Sequence, residues 1–310
     1  MGASEASFIA SQAGRQHRAG NPLTHPNPPF KGWGSGAEDK MVSHSGLITV
    51  MQRAARRAAP RLRRDFGEVE QLQVSRKAPA DFVSMADKRA EQTIVEELRS
   101  ARPDWGMLLE EGGEIEGNPD KPRWIVDPLD GTSNFLHGIP HFAISIAVEE
   151  RGPGARSEVT QGLVYQPLTD ESYWAEKGRG AWLNERRLRV SARRDLSECV
   201  IGTGMPHCGR GDVAAWSKIY AAIAPQVAGV RRFGSAALDL AWVAAGRMDG
   251  FWEDDLDIWD TAAGLLLIRE AGGFVTDYRG SDRMFERREY LAGNGDVHSR
   301  LHKLLSVALR

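Results

Sequence analysis

The sequence predicts a layered α/β fold, and three observations carry that prediction. Helical and strand-like periods alternate along most of the chain, which is the pattern of sheet layers covered by helices. The strand-like runs are short and bounded by turn residues. Hydrophobic residues make up 41% of the 310 positions, enough for a substantial core. From about Leu47 to Phe66, the residues Ile48, Met51, Ala55, Ala59 and Leu62 recur at three- and four-residue spacing, so a helix is expected there. A second helix is expected over about Asp87–Arg99, with Ile94, Val95 and Leu98 inward. Strands follow near Gly106–Leu109, Arg123–Val126, His141–Glu149, Gln161–Tyr165 and Glu171–Ala175. The texture changes near residues 195–212, which divides the folded part into two closely packed α/β halves. Beyond it, helices are expected at about Val213–Ile223, Ala236–Ala245, Thr261–Ala271 and Val297–Ala308, interleaved with strands near Met248–Glu253 and Gly273–Asp277.

Composition narrows the function classes. The formal net charge is −2, so no global field favours a polyanionic partner. Only Cys199 and Cys208 are present. They build neither a disulfide framework nor a cysteine metal site, which suits a reducing cytoplasm. No run of 18 apolar residues occurs, so no membrane span is expected. Residues 1–40, broken by Pro22, Pro26, Pro28 and Pro29 and by Gly32, Gly34 and Gly36, read as a disordered N-terminal extension. The catalytic domain is expected over 41–310, and Met41 is a candidate for the natural start.

The informative stretch is Trp124-Ile125-Val126-Asp127-Pro128-Leu129-Asp130-Gly131-Thr132-Ser133-Asn134-Phe135. An apolar strand runs into two aspartates three positions apart, then a Gly-Thr-Ser turn and a helix start. Hard divalent cations take oxygen ligands, and Mg²⁺ uses one or two carboxylates with water and substrate phosphate. A strand end holds Asp127, and Pro128 fixes the backbone so that Asp130 can turn to the same ion. The Leu129 carbonyl between them offers a third oxygen. Gly131 permits close approach of a ligand, and the amides of Gly131, Thr132 and Ser133 can face a phosphate. Taken alone, Asp-Pro and Asp-Gly are also ordinary turn dipeptides, and Asp130 could cap a helix.

The stretch resembles the metal-binding signature of the inositol monophosphatase family, Asp-Pro-hydrophobic-Asp-Gly-Thr-x-Asn-Phe. A second signature of that family is matched by Trp259-Asp260-Thr261-Ala262-Ala263-Gly264 followed by Glu270-Ala271-Gly272-Gly273. The likeness extends over about residues 47–308. It implies a layered α/β/α/β sandwich, a homodimer, two or three Mg²⁺ ions and inhibition by lithium. By the same resemblance the metal ligands are Glu110, Asp127, the carbonyl of Leu129, Asp130 and Asp260. Asp81-Phe82-Val83-Ser84-Met85-Ala86-Asp87 resembles a further family motif, with serine at 84 where threonine is usual. It implies that Asp87 pairs with the Thr132 hydroxyl to orient an attacking water, with Glu110 completing the catalytic set. Read without the resemblance, Asp87 and Asp260 are helix N-caps and Glu110 is one of many glutamates.

The implied reaction is hydrolysis of a small phosphate monoester, with myo-inositol monophosphate as the expected substrate. Leu129, Asp130, Gly131, Thr132, Ser133 and Asp260 would bind its phosphate end. Glu253, six positions before Trp259, and the loop Gly234-Ser235-Ala236 would contact the ring; Ser235 could equally be a helix cap. Ser133, where related phosphatases place lysine, favours an inositol phosphate. The acidic run Glu253-Asp254-Asp255-Leu256-Asp257 points toward an amine-bearing substrate such as histidinol phosphate, or is a solvated loop. Glycine often stands at the equivalent of Asp255 in the family. A broad-specificity sugar phosphatase of the same fold is a further alternative. From another class, the arginines of 53–64 could form a nucleic-acid-binding face, or simply a solvated one. His207 and Cys208 look like metal ligands at first sight but lack a second pair nearby.

Overall fold

The computed structural model describes residues 45–72, 79–151, 157–207 and 211–310. The extension expected over 1–40, the candidate start Met41 and Cys208 lie outside the described residues. Helices α1 (Gly46–Leu72) and α2 (Pro79–Ala101) come first, followed by strands β1 (Gly106–Leu109), β2 (Gly113–Ile115) and β3 (Arg123–Asp130). A single-turn helix α3 (Thr132–Leu136) leads into β4 (Ala143–Arg151), β5 (Ser157–Gln166), β6 (Glu171–Glu176), β7 (Gly180–Leu183) and β8 (Arg186–Arg187). Next come β9 (Val200–Thr203), α4 (Val213–Ile223), β10 (Gly229–Arg231), α5 (Ala236–Ala244), β11 (Gly250–Asp254) and α6 (Ile258–Glu270). The chain closes with β12 (Phe274–Thr276), α7 (Met284–Arg287), β13 (Glu289–Gly293) and α8 (Gly295–Ala308).

Two sheets result, with strand orders β2-β1-β3-β4-β5-β6-β7-β8 and β10-β9-β11-β13-β12. Side-chain alternation along the strands assigns each sheet face to a different core. On β3, Trp124 and Val126 pack with α1 and α2, while Ile125 faces α5 and α6. On β11, Phe251 faces the same α5–α6 layer and Trp252 turns outward to α4 and α8. Tyr290 and Ala292 of β13 likewise point one way and Leu291 the other. The layered α/β architecture expected from the sequence is therefore present, with α4 and α8 adding an outer helical layer. No helix among the described residues is long and apolar enough to cross a membrane.

Two local features position the chemistry. Residues three apart on a regular strand face opposite ways, yet the β3–β4 pairing shifts register between Asp127 and Asp130. The irregularity, at the Pro128 position that has no amide to donate, brings both aspartates to one site. The second feature corrects an expectation. Helix α2 begins at Pro79, a favoured first helical residue, so Asp87 lies inside the helix rather than at its N-cap. Of the arginines on α1, Arg53 and Arg57 pair with Glu97, Arg61 pairs with Asp65, and Arg63 donates to the Pro167 carbonyl.

Candidate active site

Glu110, Asp127, Leu129, Asp130, Gly131, Thr132, Ser133, Gly234, Ser235, Ala236, Glu253 and Asp260 all line one cavity of about 200 Å³. Of the residues expected to bind metal or substrate or to act in catalysis, Asp87 alone is not in that wall. The cavity sits where β3, the first turn of α5, the end of β11 and the N-terminus of α6 converge. Asp127, only 1% exposed, accepts the Leu129 amide on Oδ1 at 2.8 Å, while its Oδ2 has no hydrogen-bond partner. Glu110 follows β1 and is anchored by its own amide to the Val126 carbonyl at 3.1 Å; its Oε2 is also buried and without a partner. Behind it, Glu91 accepts the Glu111 amide at 3.0 Å and holds that turn.

Asp130 is held by two donors on Oδ2, the Ser235 hydroxyl at 2.5 Å and the Ala237 amide at 2.8 Å. Ser235 does stand at the N-cap position of α5, but its side chain makes no cap bond because it is committed to Asp130. Gly131 has φ +93, and a Cβ there would meet the His141 carbonyl oxygen at 3.0 Å, so glycine is required on both counts. Asn134 ties the two halves of the rim by donating to the carbonyls of His141 and Phe233, each at 2.7 Å. Asp260 occupies the third position of α6 in a capping box with Asp257, whose amide donates to Asp260 Oδ2 at 2.8 Å. Asp257, not Asp260, is therefore the N-cap, and Asp260 joins the box from the third helical position while keeping its place in the cavity.

One expected pair is not made. The Thr132 hydroxyl donates to the Leu129 carbonyl at 3.0 Å, back across its own turn, and Asp87 Oδ1 stays buried without a partner. A carbonyl has two lone pairs, so this bond leaves Leu129 able to accept a second contact. The sequence reading left Arg232 and Gly204 unassigned and set His207 aside for want of a second ligand pair, yet all three line the cavity. A Cβ on Gly204 would fall 1.7 Å from Glu253 Oε1, so this glycine makes the space in which Glu253 lies. Arg232 is two residues before Gly234, the one local hint that it belongs to the loop.

Electrostatics follow from crowding of like charges in a dry site. Burial pushes Asp87 up to about 8, aided by Glu110, and it carries Glu110 and Asp130 up to about 7. Asp127 is pushed well above the ordinary range by burial and then by Glu110, and Glu253 likewise by burial and Asp239. Carboxylate oxygens of Asp127, Asp130 and Asp260 lie within 4.8 Å of one another. An all-oxygen set with buried, unpartnered lone pairs on Asp127 and Glu110 fits a hard divalent cation.

The class that this fold and this site define is the phosphoric monoester hydrolases. The chain belongs to the inositol monophosphatase family, whose sequence model matches residues 44–310. It is 55% identical over 264 residues to an inositol-1-monophosphatase of Rhizobium meliloti, covering 85% of this chain and 97% of that protein. It is 43% identical over 252 residues to a protein of Pseudomonas aeruginosa named Nus factor SuhB, covering 80% and 91%. The crystal structure of the extragenic suppressor protein suhB from Bartonella henselae matches with a TM-score of 0.77 at 52% identity, covering 84% of this chain and 98% of that one.

Proposed function

We propose that the protein hydrolyses myo-inositol monophosphate to inositol and phosphate with Mg²⁺. The observation that carries the proposal is the convergence of Asp127, Asp130 and Asp260 within 4.8 Å, beside the Gly131–Ser133 turn in one cavity. Glu110, Asp127, the Leu129 carbonyl, Asp130 and Asp260 would hold the cations. Bound there, the cations supply Lewis acidity, which makes water a competent nucleophile at neutral pH and offsets charge on the departing oxygen. The chain's own groups do the rest. The amides of Gly131, Thr132 and Ser133 orient the phosphate, and Arg232 and His207 add positive or hydrogen-bonding groups to the cavity lining. Rotation about one bond frees the Thr132 hydroxyl from Leu129 to orient water, with Asp87 near Glu110 as its partner in that role. Glu253, in the space left by Gly204, receives the ring hydroxyls together with the Gly234–Ala236 loop. Lithium inhibition, a cytoplasmic setting and assembly as a homodimer form part of the same proposal.

An amine-bearing substrate draws no support from the acidic run. Arg288 pairs with Asp255 at 3.0 Å and with Asp257 at 2.9 Å, so two of the four acids of the run are already engaged by one guanidinium. The test is phosphate release from myo-inositol 1-phosphate with Mg²⁺ against an EDTA control. Release abolished by EDTA is expected. Release from histidinol phosphate but not from the inositol ester would overturn the substrate assignment, and silence across a panel of esters would overturn the function.

A further inference from the structure

Behind the cavity wall, two buried titratable side chains face each other, and the hydrolysis described above gives neither a task. His141 is 7% exposed and Asp239 1%. His141 Nε2 lies 3.2 Å from Asp239 Oδ1, and because an ionised carboxylate only accepts, the imidazole donates. The imidazole is bracketed by Phe233 and Trp242, with ring centroids 5.1 and 5.0 Å away. Arg232 adds a smaller attraction to Asp239. Each member of the pair is also tied by its backbone to the carboxylate cluster. The Asp239 amide donates to the Ser235 carbonyl at 2.9 Å, one helical turn back. That turn of α5 supplies both donors to Asp130, the Ser235 hydroxyl and the Ala237 amide. The His141 carbonyl accepts Asn134 Nδ2 at 2.7 Å and lies 3.0 Å from where a Cβ of Gly131 would stand. The contacts close a ring. It runs from Asp130 to Ser235, along α5 to Asp239, across to His141, and back through Asn134 to the turn that follows Asp130.

We propose that His141 and Asp239 are positioning residues for the cation site: their hydrogen bond fixes the first turn of α5 against the Gly131 turn, so that Ser235 and Ala237 aim their donors at Asp130. Helix α5 is nine residues long and its N-cap side chain makes no cap bond, so its first turn depends on anchors from outside the helix. Binding groups need to be held to within about 0.5 Å by neighbours that are themselves locked, and His141 is locked between two rings. A charge role and a positioning role forecast opposite signs for the loss of His141. Asp239 adds negative charge near Asp130. A neutral residue in place of His141 leaves the site's charge unchanged or more negative, which holds a cation as well or better. Cutting a positioning bond weakens cation binding instead. The pair matters to the reaction only if Asp130 is a cation ligand, as the proposed function has it, but the ring of contacts stands without that reading.

The test uses four variants of the full chain. His141→Leu cuts the bond, and His141→Gln keeps a donor. Asp239→Asn removes the charge and keeps an acceptor. His141→Leu combined with Asp239→Asn cuts the bond without stranding a buried carboxylate, so it folds even where the single leucine variant does not. Two readouts need no substrate: Mn²⁺ binding by calorimetry, and hydrogen exchange at the Ala237 amide in EDTA. His141→Leu is expected to bind Mn²⁺ about tenfold more weakly, the low end for a partner that acts through another residue, with His141→Gln within about threefold of the parent. The double variant should bind more weakly than Asp239→Asn alone by a similar factor. Exchange at Ala237 should be about tenfold faster or more in both leucine variants. Saturating Mg²⁺ should return kcat to within about twofold, because no group that touches the ester has changed. Mn²⁺ binding by His141→Leu as tight as the parent's or tighter overturns the proposal. So does a double variant no weaker than Asp239→Asn, a glutamine variant as weak as leucine, or unchanged exchange at Ala237. A parent that binds Mn²⁺ yet releases no phosphate from any ester would sink the phosphatase reading alone, since the Mn²⁺ and exchange comparisons judge the pair independently.

Discussion

Removing one hydroxyl, Ser235→Ala, should cost the protein much of its cation affinity while leaving the fold intact. Ser235 is 1% exposed, and its Oγ donates to Asp130 Oδ2 at 2.5 Å. The variant removes a single atom, so packing changes little. What is lost is one of two donors to a buried carboxylate, the other being the Ala237 amide at 2.8 Å. A hydrogen bond to a charged group contributes roughly 1.5–3 kcal/mol. That bond favours the ionised carboxylate that a cation needs, so its loss predicts Mg²⁺ binding weaker by about one to two orders of magnitude. Activity as a function of Mg²⁺ concentration gives the apparent constant, and Mn²⁺ titration followed by calorimetry checks it without turnover. Saturating Mg²⁺ should restore most of kcat, because the ligand itself remains. An apparent Mg²⁺ constant within twofold of the parent, in a variant with the parent's melting temperature, would refute the argument that Ser235 acts through Asp130.

Two further outcomes follow from the same geometry. In Gly204→Ala the new methyl collides with the Glu253 carboxylate, the mobile end of a side chain, rather than with backbone. The expected result is a KM for the inositol ester raised about tenfold or more with little change in melting temperature, measured by steady-state phosphate release and calorimetry. In EDTA, stability should fall as pH rises. Asp130 and Glu110 sit near 7 and Asp87 near 8 in the fold, above their values in the unfolded chain, so the folded state binds more protons between about pH 4 and 8. Melting temperature should therefore drop across that window, by roughly 2–4 °C for each kcal/mol lost. Mg²⁺, which binds the deprotonated carboxylates, should flatten or reverse the slope, and a metal-free protein that gains stability toward pH 8 would contradict the assignment.

Local signals in the sequence were enough wherever a residue's task is set by its neighbours. Helix α4 spans Val213–Ile223 as the periodicity predicts, and β1 spans Gly106–Leu109. The Asp127–Asp130 segment was legible because strand, bulge and turn are consecutive. Other elements gave no such signal. Strands β9, β10 and β13 are three to five residues long, and β9 carries Gly202 where a third apolar side chain would have marked it. The first turns of α2 carry Asp81, Ser84 and Asp87, all favoured cap residues, which is why Asp87 looked like a cap. Long-range partners were invisible for a different reason. Ser235 bonds Asp130 across 105 positions, and Arg288 reaches Asp255 across 33, with nothing local to either residue announcing the other.

The places where local rules are broken are also the places where the site is built. A regular β3 would separate Asp127 from Asp130, and a regular turn would not put Asp255 and Arg288 at positive φ. An apolar core would not bury Asp87, Asp127 and Asp130 together. Each departure costs free energy on its own, and like charges packed this closely raise one another's proton affinity rather than relieving it. The surrounding frame holds them in place through neutral donors, the Ser235 hydroxyl and the Ala237 and Leu129 amides, so that the carboxylates are oriented but not neutralised. Arg288 pairs with the rim acids Asp255 and Asp257, whereas the donors to Asp127 and Asp130 are uncharged. Such a division makes physical sense if the inner charge is reserved for cations that arrive with, or before, the phosphate ester. A salt bridge on Asp127 or Asp130 would have stabilised the empty fold and removed the affinity on which hydrolysis depends.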